Sequence, residues 1–147
     1  MKQIRSSFAV ALTVAVTLFG VGVSRSVVSA QDKTVWSGIF TAEQAARGKE
    51  KATAECSACH GMTLTGDLAP ALVGADFIDH WYDARLGELA QRIQNTMPQS
   101  APGTLKAEEY ADIIAYLLSA NGFPAGSDTL AMTPVDALDA IKITKMK

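Results

Sequence analysis

Cys56-Ser-Ala-Cys59-His60 is the stretch that decides the fold, and it contains both cysteines of the 147-residue chain. At the end of a helix these two thiols lie on one turn, about 5–6 Å apart, with the imidazole beside them. Two thiols at that spacing can add to the two vinyl groups along one edge of a haem. The motif therefore predicts one covalently bound haem c, attached through Cys56 and Cys59, with His60 as an axial ligand of the iron.

Three other uses of the two cysteines are open at this point. A disulfide between Cys56 and Cys59 would close a very short loop and gain little stability. A thioredoxin-like redox pair normally lies in a βαβ context, which the sequence does not indicate. A zinc site would need a fourth ligand and would normally use a second Cys/His pair. Haem attachment requires none of these additional features.

The second axial position of the iron has several candidate ligands. Met62 lies two residues after His60, a span of at most about 7 Å, which is too short to reach the other face of the ring. Met132 lies in a tail segment with little apolar support. Met97 ends an apolar helical stripe and precedes a proline, so it is the predicted ligand. His80 and an iron without a sixth ligand stay open as alternatives.

The other imidazole nitrogen of His60 should donate a hydrogen bond, because ligating histidines usually do so and thereby fix their tautomer. Pro70 offers a rigid backbone and a free carbonyl ten residues later, although it would equally suit an ordinary loop. The apolar side chains expected to wall a haem crevice, each of which would also fit a general core, are Leu72, Trp81, Leu89 and Ile93.

Three helices are predicted, over residues 41–55, 84–96 and 107–120. Thr41 and the glutamine three residues later form a capping-box pattern, and Asp83 is the expected cap of the second helix. The third helix has a poor cap, a lysine, but its apolar residues recur at helical spacing. An Asn-Gly pair and a following proline end it.

The rest of the chain is predicted to be irregular. Residues 56–70 are rich in Gly and Thr and are expected to form a turn and a loop, and residues 72–79 a single turn at most. Residues 125–147 form a tail whose one apolar patch should wrap the domain: Leu138, Ile141 and Ile143. No alternating strand pattern of useful length is present. The expected class is all-α, three main helices with long loops around one covalently bound haem, because loops this long need something to organise them.

The N-terminus has the pattern of a secretory signal peptide over residues 1–30, which leaves residues 31–147 as a single domain. Lys2 and Arg5 precede an uncharged apolar stretch, and Ala30 is the expected cleavage position. The alternative is an uncleaved membrane anchor, for which the apolar stretch is short. Membrane contact is expected only in that case. Both readings place the domain outside the cytoplasm, in the periplasm.

The charge balance of the domain is acidic. Removing residues 1–30 leaves 10 Lys and Arg against 15 Asp and Glu, a net charge of −5. This balance argues against nucleic acid and anionic membrane surfaces as partners, and it suits a partner protein with a basic docking patch.

The sequence resembles the class I monohaem cytochromes c over residues 35–126. The elements that carry the resemblance, in family order, are Gly48, Cys56-Ser-Ala-Cys59-His60, Pro70-Ala-Leu72, Met97-Pro98 and Ile114-Ala-Tyr116-Leu117. The resemblance implies the cytochrome c fold, in which the first and last helices cross at Gly48 beside an aromatic side chain. It also implies His60 and Met97 as axial ligands and Pro70 as the carbonyl partner of His60.

One position departs from the family pattern. Members usually carry an aromatic residue four positions before the first cysteine, where this chain has Ala52. The helix crossing is then expected to be packed by Tyr110 or Tyr116 alone.

A narrower resemblance concerns the possible partners. The segments Val35-Trp36-Ser-Gly, Thr41-Ala-Glu-Gln44-Ala-Ala-Arg47-Gly48-Lys49, Met97-Pro-Gln-Ser-Ala-Pro-Gly103 and Ser119-Ala-Asn-Gly-Phe-Pro124 resemble cytochromes associated with quinoprotein alcohol dehydrogenases. This resemblance implies such a dehydrogenase as electron donor, with a terminal oxidase as an acceptor candidate.

The expected function is single-electron transfer between partner proteins rather than catalysis. Iron with both His and Met ligands has no open position for a substrate, and the thioether raises the reduction potential. The alternatives are a haem enzyme or ligand sensor with an open or displaceable sixth position, and a tightly bound subunit of a larger complex.

Overall fold

The computed structural model describes residues 33–145 and is mostly helical. The predicted signal segment, residues 1–30, lies outside this range, so its cleavage and the domain boundary at residue 31 stay predictions. The elements in chain order are β1 Lys33–Thr34, α1 Ala42–Glu55, α2 Ser57–His60, α3 Ala75–Trp81, α4 Leu86–Thr96, α5 Ala107–Ala120, α6 Val135–Asp139 and β2 Ile141–Lys142. No helix of the described range is long and apolar enough to cross a membrane. The all-α class is confirmed.

The α1 helix begins as predicted. The Thr41 hydroxyl accepts a hydrogen bond from the Gln44 backbone N–H, and the Gln44 side chain accepts one from the Thr41 N–H. These two bonds satisfy amides that the first helical turn leaves without a partner.

The α1 and α5 helices form the main packing contact of the fold and touch at Gly48. A Cβ atom built on Gly48 would lie 1.7 Å from the Asp112 carbonyl oxygen and 2.9 Å from the Tyr116 Cβ. Only glycine permits this approach, and Tyr116 is the aromatic side chain beside it. Arg47 donates two hydrogen bonds to the Asp112 carboxylate, at 2.7 and 2.8 Å. The crossing is therefore fixed by close backbone contact and one bidentate ion pair.

The small side chain of Ala52 is completely buried at this contact. It lies in a buried cluster with the aliphatic side chains of Leu64, Ile113 and Leu117. The departure from the family pattern is therefore accommodated by aliphatic residues of α5 and of the loop after α2.

The C-terminal tail packs on the helices, as expected from its apolar patch. Leu138, Ile141 and Ile143 are all buried, and β2 pairs in parallel with β1. The Gln44 side chain holds an earlier part of the tail, because its amide donates to the Leu130 carbonyl at 2.9 Å and accepts from the Leu130 N–H at 2.8 Å.

Asp83 is not the cap of the second long helix, so that prediction was wrong. The α4 helix begins at Leu86, and its N-cap is Arg85, whose N–H donates to the Glu88 carboxylate at 3.0 Å. Asp83 has a positive φ of 71° and pairs instead with Lys142 of β2. The tail also contacts the backbone at this position, since the Asp83 N–H donates to the Ile143 carbonyl at 2.9 Å.

Two segments predicted as irregular are partly helical. Residues 57–60 form the short α2, so the predicted loop begins only after His60. The α3 helix, Ala75–Trp81, occupies a stretch for which at most one turn was expected. Its Phe77 is buried and Trp81 is half-buried, one helical turn apart on the same face. The pairing of β1 with β2 was also not predicted, since two-residue strands are too short for an alternating pattern.

Candidate cofactor site

A cavity of about 550 Å³ lies between the cysteine motif and the elements α3, α4 and α5. This volume is within the usual range for cofactor and ligand sites. The four predicted wall residues all line it, and Phe77, Ile113 and Leu117 add further apolar surface. The cavity is therefore mainly apolar, which suits a large flat ring that must be kept from water.

The cysteine motif lies on one wall of this cavity. Cys56 ends α1, its N–H donating to the Ala52 carbonyl at 2.9 Å, and the His60 N–H donates to the Cys56 carbonyl at 3.0 Å. This turn places Cys56, Cys59 and His60 along the cavity. Burial, and secondarily the charge of Glu55, raises the pKa of the Cys56 thiol to about 11. The thiol is therefore protonated at neutral pH and does not act as an activated thiolate.

The His60 ring is held in one orientation by Pro70. The Nδ1 atom lies 2.6 Å from the Pro70 carbonyl oxygen, and the ring is only 7% exposed. A carbonyl oxygen can only accept, so Nδ1 carries the proton and donates. The Nε2 atom is then unprotonated in the neutral ring and is available to a metal.

The loop between His60 and Pro70 is folded back onto the motif. The Gly66 N–H donates to the His60 carbonyl at 3.0 Å, and the Ala69 N–H donates to the Cys59 carbonyl at 2.9 Å. These bonds place Pro70 where its carbonyl meets the imidazole.

Of the candidate second ligands, two line the cavity and two do not. Met97 is the C-cap residue of α4 and lines the cavity, as does His80 of α3, whose ring packs edge-on against Trp81 at 5.1 Å. Met62 is 74% exposed, and Met132 is buried in the core away from the cavity. Met132 thus has the apolar surroundings that the sequence did not indicate, but not at this site.

Tyr110 supports the position of Met97. Its hydroxyl donates to the Met97 carbonyl at 2.9 Å, and its ring is completely buried in the core. The sequence singled out Tyr110 only as a packing residue. The hydroxyl contact joins the first turn of α5 to the residue after α4, and no local pattern could have indicated it.

Two further residues at the site, Asn121 and Arg92, were not predicted there. The Asn121 amide donates to the Leu72 carbonyl at 3.0 Å and its oxygen accepts from the Gly74 N–H at 2.9 Å, which ties the segment before α3 to the end of α5. Among residues 33–145, Arg92 of α4 is the only Lys or Arg on the cavity wall. Its spacing three residues after Leu89 is the signal that would have placed it on the same helix face.

The residues present fit a haem. Two thiols, one imidazole with a free Nε2 and one thioether border the same apolar cavity. A disulfide is not formed, since both cysteines are free. Within residues 33–145 no group of three His, Cys, Asp or Glu side chains could hold a metal ion by itself, which disfavours zinc. A thioredoxin-like context is also absent from that part of the chain, since its two strands have only two residues each and the cysteine motif follows the helix α1, not a strand.

Comparisons with known proteins support this assignment. Residues 43–117, just over half of the chain, match the family model described as "Cytochrome C oxidase, cbb3-type, subunit III". A search of curated proteins gave no match. Among solved structures, the sulfane dehydrogenase SoxCD from Paracoccus pantotrophus is similar, with a TM-score of 0.54 and 21% sequence identity.

The match to SoxCD covers 74% of this chain and 61% of that chain, so the chain spans less than two thirds of the SoxCD chain. At 21% identity this likeness concerns the fold alone. The family match, the helical fold and the cavity agree with one another. The chain belongs to the family described as "Cytochrome C oxidase, cbb3-type, subunit III" and is a class I monohaem cytochrome c, an electron carrier whose cofactor is covalently bound haem c.

Proposed function

We propose that this cytochrome is an exported single-electron carrier, with Cys56 and Cys59 as the haem attachment sites and His60 and Met97 as the axial ligands. The observation that supports the proposal most strongly is the shared cavity. It brings the motif at the end of α1 and Met97 at the end of α4 to the walls of one apolar site. Two ligands from different elements are what a ring bound between them requires.

The residues of the chain have separable tasks. Bound haem supplies a ferric/ferrous couple that stores one electron. Pro70 orients the His60 imidazole, and Tyr110 fixes the backbone at Met97. The Met97 thioether favours the ferrous state and raises the potential. The apolar walls would keep water from the bound ring.

Optical spectra of the purified protein in both redox states, after acid-acetone extraction of loose haem, test the assignment. We expect c-type bands in the reduced form and a weak near-infrared thioether-to-iron band in the oxidised form. Covalently bound haem without the near-infrared band would indicate that His80 is the sixth ligand or that the sixth position is open. That outcome would favour a haem enzyme or ligand sensor. Absence of covalent haem would overturn the proposal.

Variants separate attachment from ligation. Met97→Ala should keep covalent haem, lose the near-infrared band, lower the reduction potential and bind imidazole. Met62→Ala is the matched control, because Met62 is 74% exposed and lies off the cavity. Cys56→Ala combined with Cys59→Ala should lose covalent haem. An unchanged spectrum and potential in Met97→Ala would refute the ligand assignment.

For the partners, we propose a quinoprotein alcohol dehydrogenase as donor and a terminal oxidase as acceptor. The donor proposal is supported by the sequence segments named above, and the acceptor proposal agrees with the oxidase description of the family. A purified quinoprotein alcohol dehydrogenase should reduce the ferric protein when alcohol is added and not without it. No reduction with alcohol present would exclude this donor.

The proposed location is the periplasm, after cleavage of residues 1–30. N-terminal sequencing of the protein from the periplasmic fraction should begin at Gln31. A chain that begins at Met1 and sediments with membranes would instead indicate an uncleaved anchor.

A further inference from the structure

The loop after the cysteine motif exposes two large apolar side chains. Met62 and Leu68 are 74% and 84% exposed, more than any other large apolar side chain within residues 33–145. Single exposed apolar residues are common, but two on one short loop are a feature that suits contact with another molecule.

This loop is not a loose segment. Its inner side is anchored by Leu64, which is buried, and by the hydrogen bonds of Gly66 and Ala69 to the carbonyls of the motif. The exposed side chains are therefore presented by a fixed backbone next to Cys59. Electron transfer weakens steeply with distance, so a partner gains most by contacting the surface nearest the attachment site.

The charged residues of the segment that contains this loop have one sign. Residues 52–84 contain five Asp and Glu and no Lys or Arg. Two of these acids, Asp79 and Asp83, pair with Lys145 and Lys142 of the tail.

The other three acids form no ion pair within residues 33–145; they are Glu55, Asp67 and Asp76. All three are exposed, and Glu55 and Asp76 stand on the cavity wall. In the described part of the chain Arg92 is the one Lys or Arg on that wall, and Lys51, one turn before Glu55, pairs with Glu109. Within the described range, two unpaired carboxylates thus stand on the cavity wall, against one guanidinium, and a third lies on the loop after the motif.

We propose that Met62, Asp67 and Leu68, together with Glu55 and Asp76, form an acidic loop face that docks a redox partner protein with Lys or Arg side chains around an apolar centre. The carboxylates would steer such a partner during diffusion, and the two apolar side chains would supply contact area. A second copy of this chain is a poor occupant, because a two-fold contact would set the same carboxylates against each other. The proposal rests on the electron-carrier function.

Gold electrodes coated with mixed monolayers serve as the probe, since they imitate the two kinds of partner surface. One monolayer mixes amine-terminated and methyl-terminated alkanethiols, and the other mixes carboxylate-terminated and methyl-terminated ones. The holoprotein should exchange electrons at least about tenfold faster on the amine/methyl surface, and rising ionic strength should reduce the difference. Met62→Ser with Leu68→Ser should lower the rate on that surface about tenfold, a loss typical of removing central contact residues.

Matched control variants lie on α6, away from the cavity. Val135→Ser removes a 40%-exposed apolar side chain, and Asp136→Asn removes the neighbouring charge, which is the counterpart of Asp67→Asn. Of these two charge variants, only Asp67→Asn should weaken the preference of the protein for the amine surface. Equal rates on both surfaces, or equal losses in the α6 variants, would overturn the docking proposal. If dithionite failed to reduce the protein in solution, the electron-carrier function itself would fail, which separates the two outcomes.

Discussion

At the scale of single residues, the Tyr110 hydroxyl is expected to hold the predicted ligand Met97 in place. Tyr110→Phe keeps the buried ring and removes only the hydroxyl that donates to the Met97 carbonyl. Losing a hydrogen bond of this kind costs about 1 kcal/mol, so imidazole should displace Met97 from ferric iron about fivefold more readily. Titration of the near-infrared band with imidazole measures this.

Tyr116→Phe is the control, because Tyr116 is the half-buried tyrosine of the same helix that packs beside Gly48. It should leave imidazole binding unchanged. Chemical denaturation of both variants distinguishes a local effect from a general one. If Tyr110→Phe only reduced the free energy of unfolding, without altering imidazole binding, the positioning role would be wrong.

The residues at the cavity were predictable where the residues that act together are close in sequence. Cys56, Cys59 and His60 are adjacent in sequence, and the Met97-Pro98 pair follows a periodic helix, so the cavity lining contains what the pattern indicated. The sequence favoured Met97 over His80 from its helical context, and because both side chains line the cavity, that choice stays a prediction. The contact of the Tyr110 hydroxyl was not predicted, because its partner, the Met97 carbonyl, belongs to another element.

At the scale of elements, the crossing of α1 and α5 depends on Gly48. In an exposed helix, Gly→Ala would stabilise by about 1 kcal/mol through helix propensity. Here the new Cβ would lie 1.7 Å from the Asp112 carbonyl oxygen, so the helices must separate. We expect Gly48→Ala to lower the free energy of unfolding by about 1–3 kcal/mol, the usual range for overpacking. Guanidinium denaturation measures it.

A control for this prediction is Glu50→Ala, an exposed position two residues along the same helix. It changes helix propensity without touching α5, and its effect should stay within about 0.5 kcal/mol. A Gly48→Ala variant as stable as the wild type would mean that the two helices can move apart without a loss of stability.

The tail is attached to α1 through Gln44, which is buried. Gln44→Leu fills similar space but leaves the Leu130 N–H and carbonyl without their partners. Each unsatisfied buried group costs about 1–3 kcal/mol, so we expect a loss of at least about 2 kcal/mol in the free energy of unfolding. Faster hydrogen exchange at the Leu130 amide should accompany the loss.

Gln44→Glu is the informative companion, since a carboxylate can still accept from the Leu130 N–H but cannot donate to its carbonyl when ionised. The free energy of unfolding of Gln44→Glu should lie between that of the wild type and that of Gln44→Leu. If Gln44→Leu left the exchange of the Leu130 amide unchanged, the tail would be held by its apolar contacts and not by this amide.

Elements were predictable where the deciding contacts are local. The capping box of α1 lies within four residues, and the expected start and end of that helix agree with the structure. The segment before α4 contacts the tail, which is distant in sequence: the Asp83 N–H donates to the Ile143 carbonyl, and the Asp83 carboxylate pairs with Lys142. The α3 helix is short, and its apolar residues face the cavity and the adjoining core. Its stability therefore depends on surroundings that no window of sequence contains.

At the scale of the whole molecule, charge links the two crossing helices and makes stability depend on pH. Hydrogen bonds from Lys51 and then from the Lys106 N–H hold the pKa of Glu109 below its ordinary value of 4.5. The carboxylate of a group with a lowered folded-state pKa stabilises the fold above the unfolded-state pKa. That contribution is lost as the pH falls through the folded-state value. The window in which Glu109 loses its effect therefore lies below 4.5.

Glu109→Gln should accordingly be less stable than the wild type at about pH 7, and the difference should narrow towards about pH 3, where the wild-type carboxylate is protonated. Urea midpoints of both proteins across this range provide the measurement. Glu108→Gln removes the same charge at the adjacent exposed position without a bond to Lys51, so its difference from the wild type should change less. A difference for Glu109→Gln that stayed constant with pH would show that the ion pair of Lys51 with Glu109 does not contribute to stability. The crossing would then rest on Gly48 and on the pair of Arg47 with Asp112.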